Sequence, residues 1–227
     1  MSATKVAIAG ATGNLGPAVL KELKEAGFEL TVLTRSAKDA FGSDVRVAQV
    51  DYSSIDSLQA ALEGQDALAA ALPVYADKVA VQKRLEEVAA APGNPEVYDG
   101  GDRKFSATTL SGIGKAVAGV LKDLDSTRNK TVFVQSARIT QNELLRMAGK
   151  EQVPKKEVRT ADLEKKAFEE LQKPNPNHRV FALNLLRRAL FGEGYGGLLS
   201  EENLWNDALG VPKLSEAEVA AIVSQYA

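Results

Sequence analysis

The stretch Lys5 to Arg35, KVAIAGATGNLGPAVLKELKEAGFELTVLTR, constrains the fold more than any other part of the chain. A short apolar strand (Val6 to Ala9) runs into a turn with glycines at 10, 13 and 16, then a helix from Pro17 to about Ala26, then a second apolar strand, Leu30 to Leu33. That succession is a β-α-β unit. In such a unit the first glycine allows the tight turn, the second lets backbone N–H groups approach a pyrophosphate, and the third lets the helix pack against the strand. An anion is favoured there because the first N–H groups of a helix are unsatisfied and the helix dipole is positive at that end. The spacing is G-x-x-G-x-x-G, not the commoner G-x-G-x-x-G, and glycines also punctuate ordinary turns, so the strand before and the helix after carry the argument. Gly10, Thr12, Gly13, Asn14, Leu15 and Gly16 are the candidate pyrophosphate contacts.

Arg35 closes the second strand, where many such units carry an acidic residue for the ribose 2′-hydroxyl. An arginine cannot accept from that hydroxyl, but it pairs with a 2′-phosphate through two parallel hydrogen bonds. The cofactor reading therefore tilts to NADP(H), against the alternative of a strand-end surface arginine. Lys38 either adds a second positive charge or is a solvated loop lysine. Asp51 and Tyr52, at the end of the third strand, are further cofactor candidates, with one or the other expected near the adenine.

With 28 Lys and Arg against 30 Asp and Glu, the net charge of −2 points to neither nucleic acid nor an anionic membrane as a partner. The absence of cysteine excludes disulfides, thiolate metal sites and a cysteine nucleophile. The single histidine, His178, excludes a multi-histidine metal site, and beside Pro176 and Asn177 it reads as a loop or helix start. No signal peptide and no apolar stretch of bilayer-spanning length are found, so a soluble cytoplasmic protein is expected.

Val45 to Val50 reads as a third strand, Ser54 to Leu62 as a helix, and the apolar Asp66 to Leu72 as a fourth, buried parallel strand. Beyond Pro73 the strict alternation stops. Asp77 to Ala91 is amphipathic with Val81, Leu85 and Val88 on one face, and Pro92-Gly93-Asn94-Pro95 ends it. Tyr98 to Asp102 reads as a hairpin turn. Leu110 to Leu121 reads as a helix whose glycines permit close packing against the sheet. Thr131 to Gln135 (TVFVQ) reads as a strand that pairs near Asp66 to Leu72 and closes the sheet. Thr140 with Glu143 forms a capping box opening a helix through Met147, and Thr160 to Gln172, His178 to Phe191 and Ser215 to Tyr226 follow as helices. Asp99 and Asp102 flank two glycines and suit turn geometry before metal binding, and Trp205 and Phe191 suit packing before stacking on a ligand.

These residues resemble the isoflavone-reductase-like and NmrA-like branch of the atypical short-chain dehydrogenases. The likeness rests on GATGNLG with Arg35, on Tyr75-Ala76-Asp77-Lys78 through Arg84-Leu85, on YDGGDRKFS from Tyr98 to Ser106, on Ile113-Gly114-Lys115-Ala116-Val117, and on Phe191 to Gly196 before Leu209-Gly210. YDGGDRKFS together with IGKAV is its most specific part. Two blocks of the family pattern are missing: a helix and strand between Leu72 and Tyr75, and a strand with a substrate-facing loop between Ala91 and about Pro95. The resemblance implies an α/β fold with a Rossmann-like, mostly parallel, abridged sheet and a smaller helical C-terminal portion. It implies an NADP-binding core over residues 1–91, and a substrate or partner region over 92–227 with one strand returning to the core. It also implies that Lys78, which matches the lysine that assists proton transfer in reductase members, is the candidate catalytic residue, the alternative being an exposed helix-start lysine. Tyr75 precedes Lys78 by three positions, not the four of the Tyr-x-x-x-Lys dyad, so no tyrosine acid is assigned. Two functions follow: an NADPH-dependent reductase of a small aromatic or carbonyl compound, or a non-catalytic NADP-sensing regulator that binds a protein partner. A third possibility is a shortened fold that no longer binds cofactor.

Overall fold

The computed structural model describes residues 1–36, 41–71, 94–195 and 197–225. Lys38 and the whole segment from Tyr75 to Ala91, Lys78 included, lie outside the described residues. The chain divides into two compact units, each drawn from separate stretches of sequence. The first takes the described residues of 1–73, 110–134 and 205–211, and the second takes those of 74–109, 135–204 and 212–227.

The first unit is built on β1 (Lys5–Ala9), α1 (Gly16–Glu25), β2 (Glu29–Thr34), β3 (Arg46–Gln49), α2 (Ile55–Leu62) and β4 (Ala67–Ala70). The four strands form one parallel sheet in the order β3-β2-β1-β4, with Val6 opposite both Leu30 and Ala67. β1 and β2 are central, and their near-continuous apolar sequences are buried, as a parallel sheet covered on both faces requires. One face packs Val6, Ile8, Leu30 and Val32 against Val19, Leu20 and Leu23 of α1, and the other packs Ala7, Ala9 and Leu33 against Leu58 and Ala61 of α2. Asp66 pins the start of β4 to β1, its carboxylate accepting from the N–H groups of Thr4 and Lys5 at 2.8 Å each. β4 is less buried than its apolar sequence leads one to expect: Leu68 is 48% exposed, because β1 is its only strand partner among the described residues.

α3 (Leu110–Lys122), α4 (Leu124–Thr127) and the short α8 (Asn206–Leu209) complete this unit. The glycines of α3 serve close packing, but against helices and not against the sheet. A Cβ at Gly114 would stand 2.6 Å from Glu22 Cγ and 2.9 Å from the Ala18 carbonyl on α1, and one at Gly119 would stand 2.6 Å from the Leu209 carbonyl on α8. Ser111 Oγ donates to Glu22 at 2.5 Å across the same α1–α3 contact. The expected strand at Thr131 to Gln135 does not join the sheet. Val132 and Val134 pack with Ala116, Leu209, Val211 and Trp205, and the Phe133 carbonyl accepts from the Trp205 N–H at 2.8 Å. The apolar alternation is used, but to cover α3 and α8, and strand propensity yields to that packing.

The second unit holds two small sheets. β5 (Glu96–Tyr98) pairs in parallel with β8 (Lys156–Val158), and β6 (Phe105–Ala107) pairs antiparallel with β7 (Ala137–Ile139). The turn between β5 and β6 therefore does not close a hairpin. Asp99, Gly100 and Gly101 take φ of 46°, 84° and 77°, and this left-handed run sends the two arms to different partners. α5 (Gln141–Met147), α6 (Thr160–Leu171), α7 (His178–Phe191) and α9 (Glu216–Ser224) pack around these strands. Thr140 with Glu143 forms the capping box read from sequence, and Ser215 with Glu218 forms a second one. Asn177 caps α7 by accepting from Arg179 and Val180 N–H, which leaves His178 exposed at the helix start. Phe191 is a packing anchor: it stacks on Tyr98 with ring centroids 4.9 Å apart and meets Phe105 edge-on at 5.3 Å.

Candidate functional site

Because the strands of the first unit are parallel, the residues that follow β1, β2 and β3 all emerge at one edge of the sheet. Gly10 follows β1, Arg35 follows β2, and Asp51 and Tyr52 follow β3. In open α/β sheets ligands bind at this carboxyl edge, where the strand order reverses direction, here between β1 and β4.

Gly10 takes φ of 84°, a left-handed conformation that glycine adopts without penalty, and its carbonyl accepts from Gly13 N–H at 2.9 Å to close the turn. Gly16 admits no side chain. An added Cβ would lie 2.3 Å from the Gly10 carbonyl oxygen and 2.4 Å from the backbone of Ala11. Thr12, Gly13 and Asn14 are exposed between these fixed points, and Leu15 is half-buried. α1 then starts with no side-chain cap, a proline in its first turn and no acidic residue there. Its first N–H groups are left for an external acceptor, in a field that favours an anion. An open groove of about 460 Å³ runs beside the turn, lined by Ala11, Thr12, Pro17, Lys21, Lys24 and Phe41 among others. Turn and helix start thus fit a pyrophosphate by shape and by polarity.

Arg35 is exposed, and its guanidinium is bonded to none of the described residues. Tyr52 lies alongside: its hydroxyl donates to the Leu33 carbonyl at 3.2 Å. Burial pushes its phenol above the usual tyrosine pKa, opposed by the charge of Arg35. Asp51 has a different local role. Its Oδ1 accepts from Ser53 Oγ at 2.6 Å and Ser53 N–H at 2.9 Å, bonds that hold its carboxyl below the usual range. Its own N–H donates to Ser57 Oγ at 3.0 Å. The carboxylate shapes the turn into α2, and Tyr52 is the member of the pair set against Arg35.

The structure thus gathers Gly10, Thr12, Gly13, Asn14, Leu15, Gly16, Arg35, Asp51 and Tyr52 on one sheet edge. Sequence reasoning passed over Thr34 and Gln49, whose side chains bond to Ser36 and to the Arg35 carbonyl. A threonine two residues before a serine at a strand end is the local signal for the first, while nothing local marks the second.

A family model described as NAD(P)H-binding matches residues 10–148, starting at the first glycine of the turn and covering more than half of the chain. The chain belongs to this NAD(P)H-binding family. As a member of it, the chain is 27% identical to the oxidoreductase poxI of Penicillium oxalicum, in a match covering 97% of this chain and 94% of the relative. That match runs over 300 residues, more than the 227 of this chain, so the relative carries segments that this chain lacks. Solved structures share the Rossmann-like fold. A leucoanthocyanidin reductase from Vitis vinifera in complex with NADPH has a TM-score of 0.70 at 14% identity, covering 98% of this chain and 99% of that one. An isoflavone reductase has a TM-score of 0.66 at 15% identity, covering 99% of each chain. The neighbours therefore lie in the isoflavone-reductase-like group that the sequence motifs resemble. No helix among the described residues is long and apolar enough to cross a membrane, and no cluster of three metal-ligating side chains occurs among them.

Proposed function

We propose that this protein is an NADPH-dependent reductase of a small aromatic or carbonyl compound. The observation that carries the reading is the glycine turn at the carboxyl end of β1, held open by Gly10 and Gly16 and followed by an uncapped α1, with Arg35 on the neighbouring strand end. In this reading Gly10 to Gly16 hold the pyrophosphate, Arg35 pairs with the 2′-phosphate, and Tyr52 and Asp51 border the adenine, with Lys38 as a second cation. The bound cofactor supplies the hydride. Lys78 then delivers or orients a proton, a role that rests on the family resemblance. The names of the relatives, an oxidoreductase and reductases, support this class of chemistry.

A non-catalytic NADP-sensing protein that binds a partner is the second reading, favoured by the segments present in poxI and missing here. NADPH consumption by the purified chain across a panel of aromatic carbonyls separates the two. For a reductase, Lys78→Ala lowers turnover by about 10²- to 10⁴-fold, as loss of a proton-transfer group does, with NADPH affinity nearly intact. Turnover that survives the substitution removes Lys78 from the mechanism, and tight NADPH binding with no turnover in the native protein favours the sensor.

A further inference from the structure

The last rung of the sheet beside Arg35 is the bond from Val50 N–H to the Thr34 carbonyl, at 2.8 Å. Beyond it Arg35 and Ser36 leave the sheet, and a chain there is ordinarily a mobile loop. Here four consecutive residues are tied instead. The Leu33 carbonyl accepts from Tyr52 Oη at 3.2 Å, and the Thr34 carbonyl takes the last rung. The Arg35 carbonyl accepts from Gln49 Nε2 at 3.3 Å. Thr34 Oγ1 donates to the Ser36 carbonyl at 2.9 Å and accepts from Ser36 N–H at 3.4 Å.

Gln49, Arg35 and Ser36 are exposed, so water would satisfy these backbone groups if the side chains were absent. Hydrogen bonds at such sites add little to folding stability, since they replace bonds to water. Their effect is directional. They fix the backbone on both sides of Arg35 while its guanidinium bonds to none of the described residues. A long side chain that must meet a phosphate with two parallel bonds loses affinity when its root wanders, both through misalignment and through the entropy of ordering it on binding.

We infer that Thr34 and Gln49 are positioning residues that set the preference for a 2′-phosphorylated dinucleotide by fixing the backbone from which Arg35 reaches. The inference rests on the reading of Arg35 as the 2′-phosphate partner. Thr34 contributes through its hydroxyl and Gln49 through its amide, and neither needs to touch the ligand.

The test is fluorescence titration of NADPH and of NADH into the native chain and into Thr34→Val, Thr34→Ser, Gln49→Leu, Arg35→Ala and the Thr34→Val/Arg35→Ala double variant, with a thermal melt of each. Thr34→Val keeps the branched shape of the strand residue and removes only the hydroxyl. It should weaken NADPH binding by roughly three- to tenfold, part of the worth of a charge-assisted bond, and leave NADH binding and the melting temperature unchanged. Gln49→Leu should shift the ratio the same way, Thr34→Ser should retain the native ratio, and Thr34→Val should add nothing once Arg35 is alanine. A native ratio in both Thr34→Val and Gln49→Leu, with the ratio collapsed in Arg35→Ala, overturns the positioning role and leaves the reading of Arg35 standing. Equal loss for both cofactors also overturns it, since that marks a general structural effect. An unchanged ratio in Arg35→Ala overturns the positioning role together with the reading it rests on.

Discussion

Gly13 and Gly16 sit three residues apart and answer to different constraints. At Gly16 the obstacles to a Cβ are all backbone, at 2.3 to 2.4 Å, and backbone cannot swing aside as a side-chain tip can. Gly16→Ala should therefore cost stability on the order of the 1–3 kcal/mol usual for overpacking, seen as a lowered melting temperature, and should abolish nucleotide binding with it. At Gly13 a Cβ would meet only the Gly10 carbonyl, at 3.2 Å, with the Ala71 carbonyl at 3.8 Å. Gly13→Ala should melt close to the native protein yet bind NADPH more weakly, because the methyl group crowds the Gly10 carbonyl in the turn assigned to the pyrophosphate. Parallel melts and NADPH titrations of the two variants check this contrast, and equal destabilisation by both would contradict it. The place of these glycines in a turn between strand and helix was legible in the sequence because a strand, a turn and a helix within one β-α-β unit are local. The framing of Arg35 by Gln49 was not, because it joins positions 14 residues apart on neighbouring strands.

Among the elements, the YDGGD turn shows how a specific motif can serve assembly. Asp99 reaches from that turn to the start of α6, where it accepts from Thr160 N–H at 2.8 Å and from the fully buried Thr160 hydroxyl. Arg188 on α7 donates to the same hydroxyl at 2.7 Å and to Glu164 at 3.1 Å, and Glu164 also accepts from Tyr195. Asp99→Ala should thus destabilise by about 1–3 kcal/mol, the cost of leaving buried donors unpaired, measured by urea unfolding, with no direct effect on the nucleotide turn. The sequence reading of a hairpin failed here because the partner of β5 is β8, about 60 residues later in the chain, and only tertiary pairing decides it. The capping box at Thr140 was read correctly, since the cap and its partner Glu143 stand three residues apart. Asp66 makes a pH-dependent contribution at the edge of the sheet. Hydrogen bonds from the backbone N–H groups of Lys5 and then Thr4 hold its carboxyl below the usual carboxylate range. A depressed folded value means that its stabilisation is present above the unfolded pKa and is lost as pH falls through the folded one. Unfolding free energy should accordingly fall more steeply below about pH 4 in the native chain than in Asp66→Asn, and identical slopes would remove Asp66 from the acid limb.

For the whole molecule, the first unit holds a parallel sheet in the order β3-β2-β1-β4, and with it a carboxyl edge of the kind at which open α/β sheets bind ligands. A chain of 227 residues that matches a relative over 300 lacks segments that the relative carries, and it has the turn, the uncapped helix and Arg35. We propose that these parts suffice to hold NADPH in preference to NADH. The most direct measurement is calorimetric titration of both dinucleotides into the full chain at fixed ionic strength. One saturable site per chain is expected, with NADPH at least about tenfold tighter than NADH, the worth of one good charged contact to the 2′-phosphate. Absence of binding, or equal affinity for the two, would contradict it.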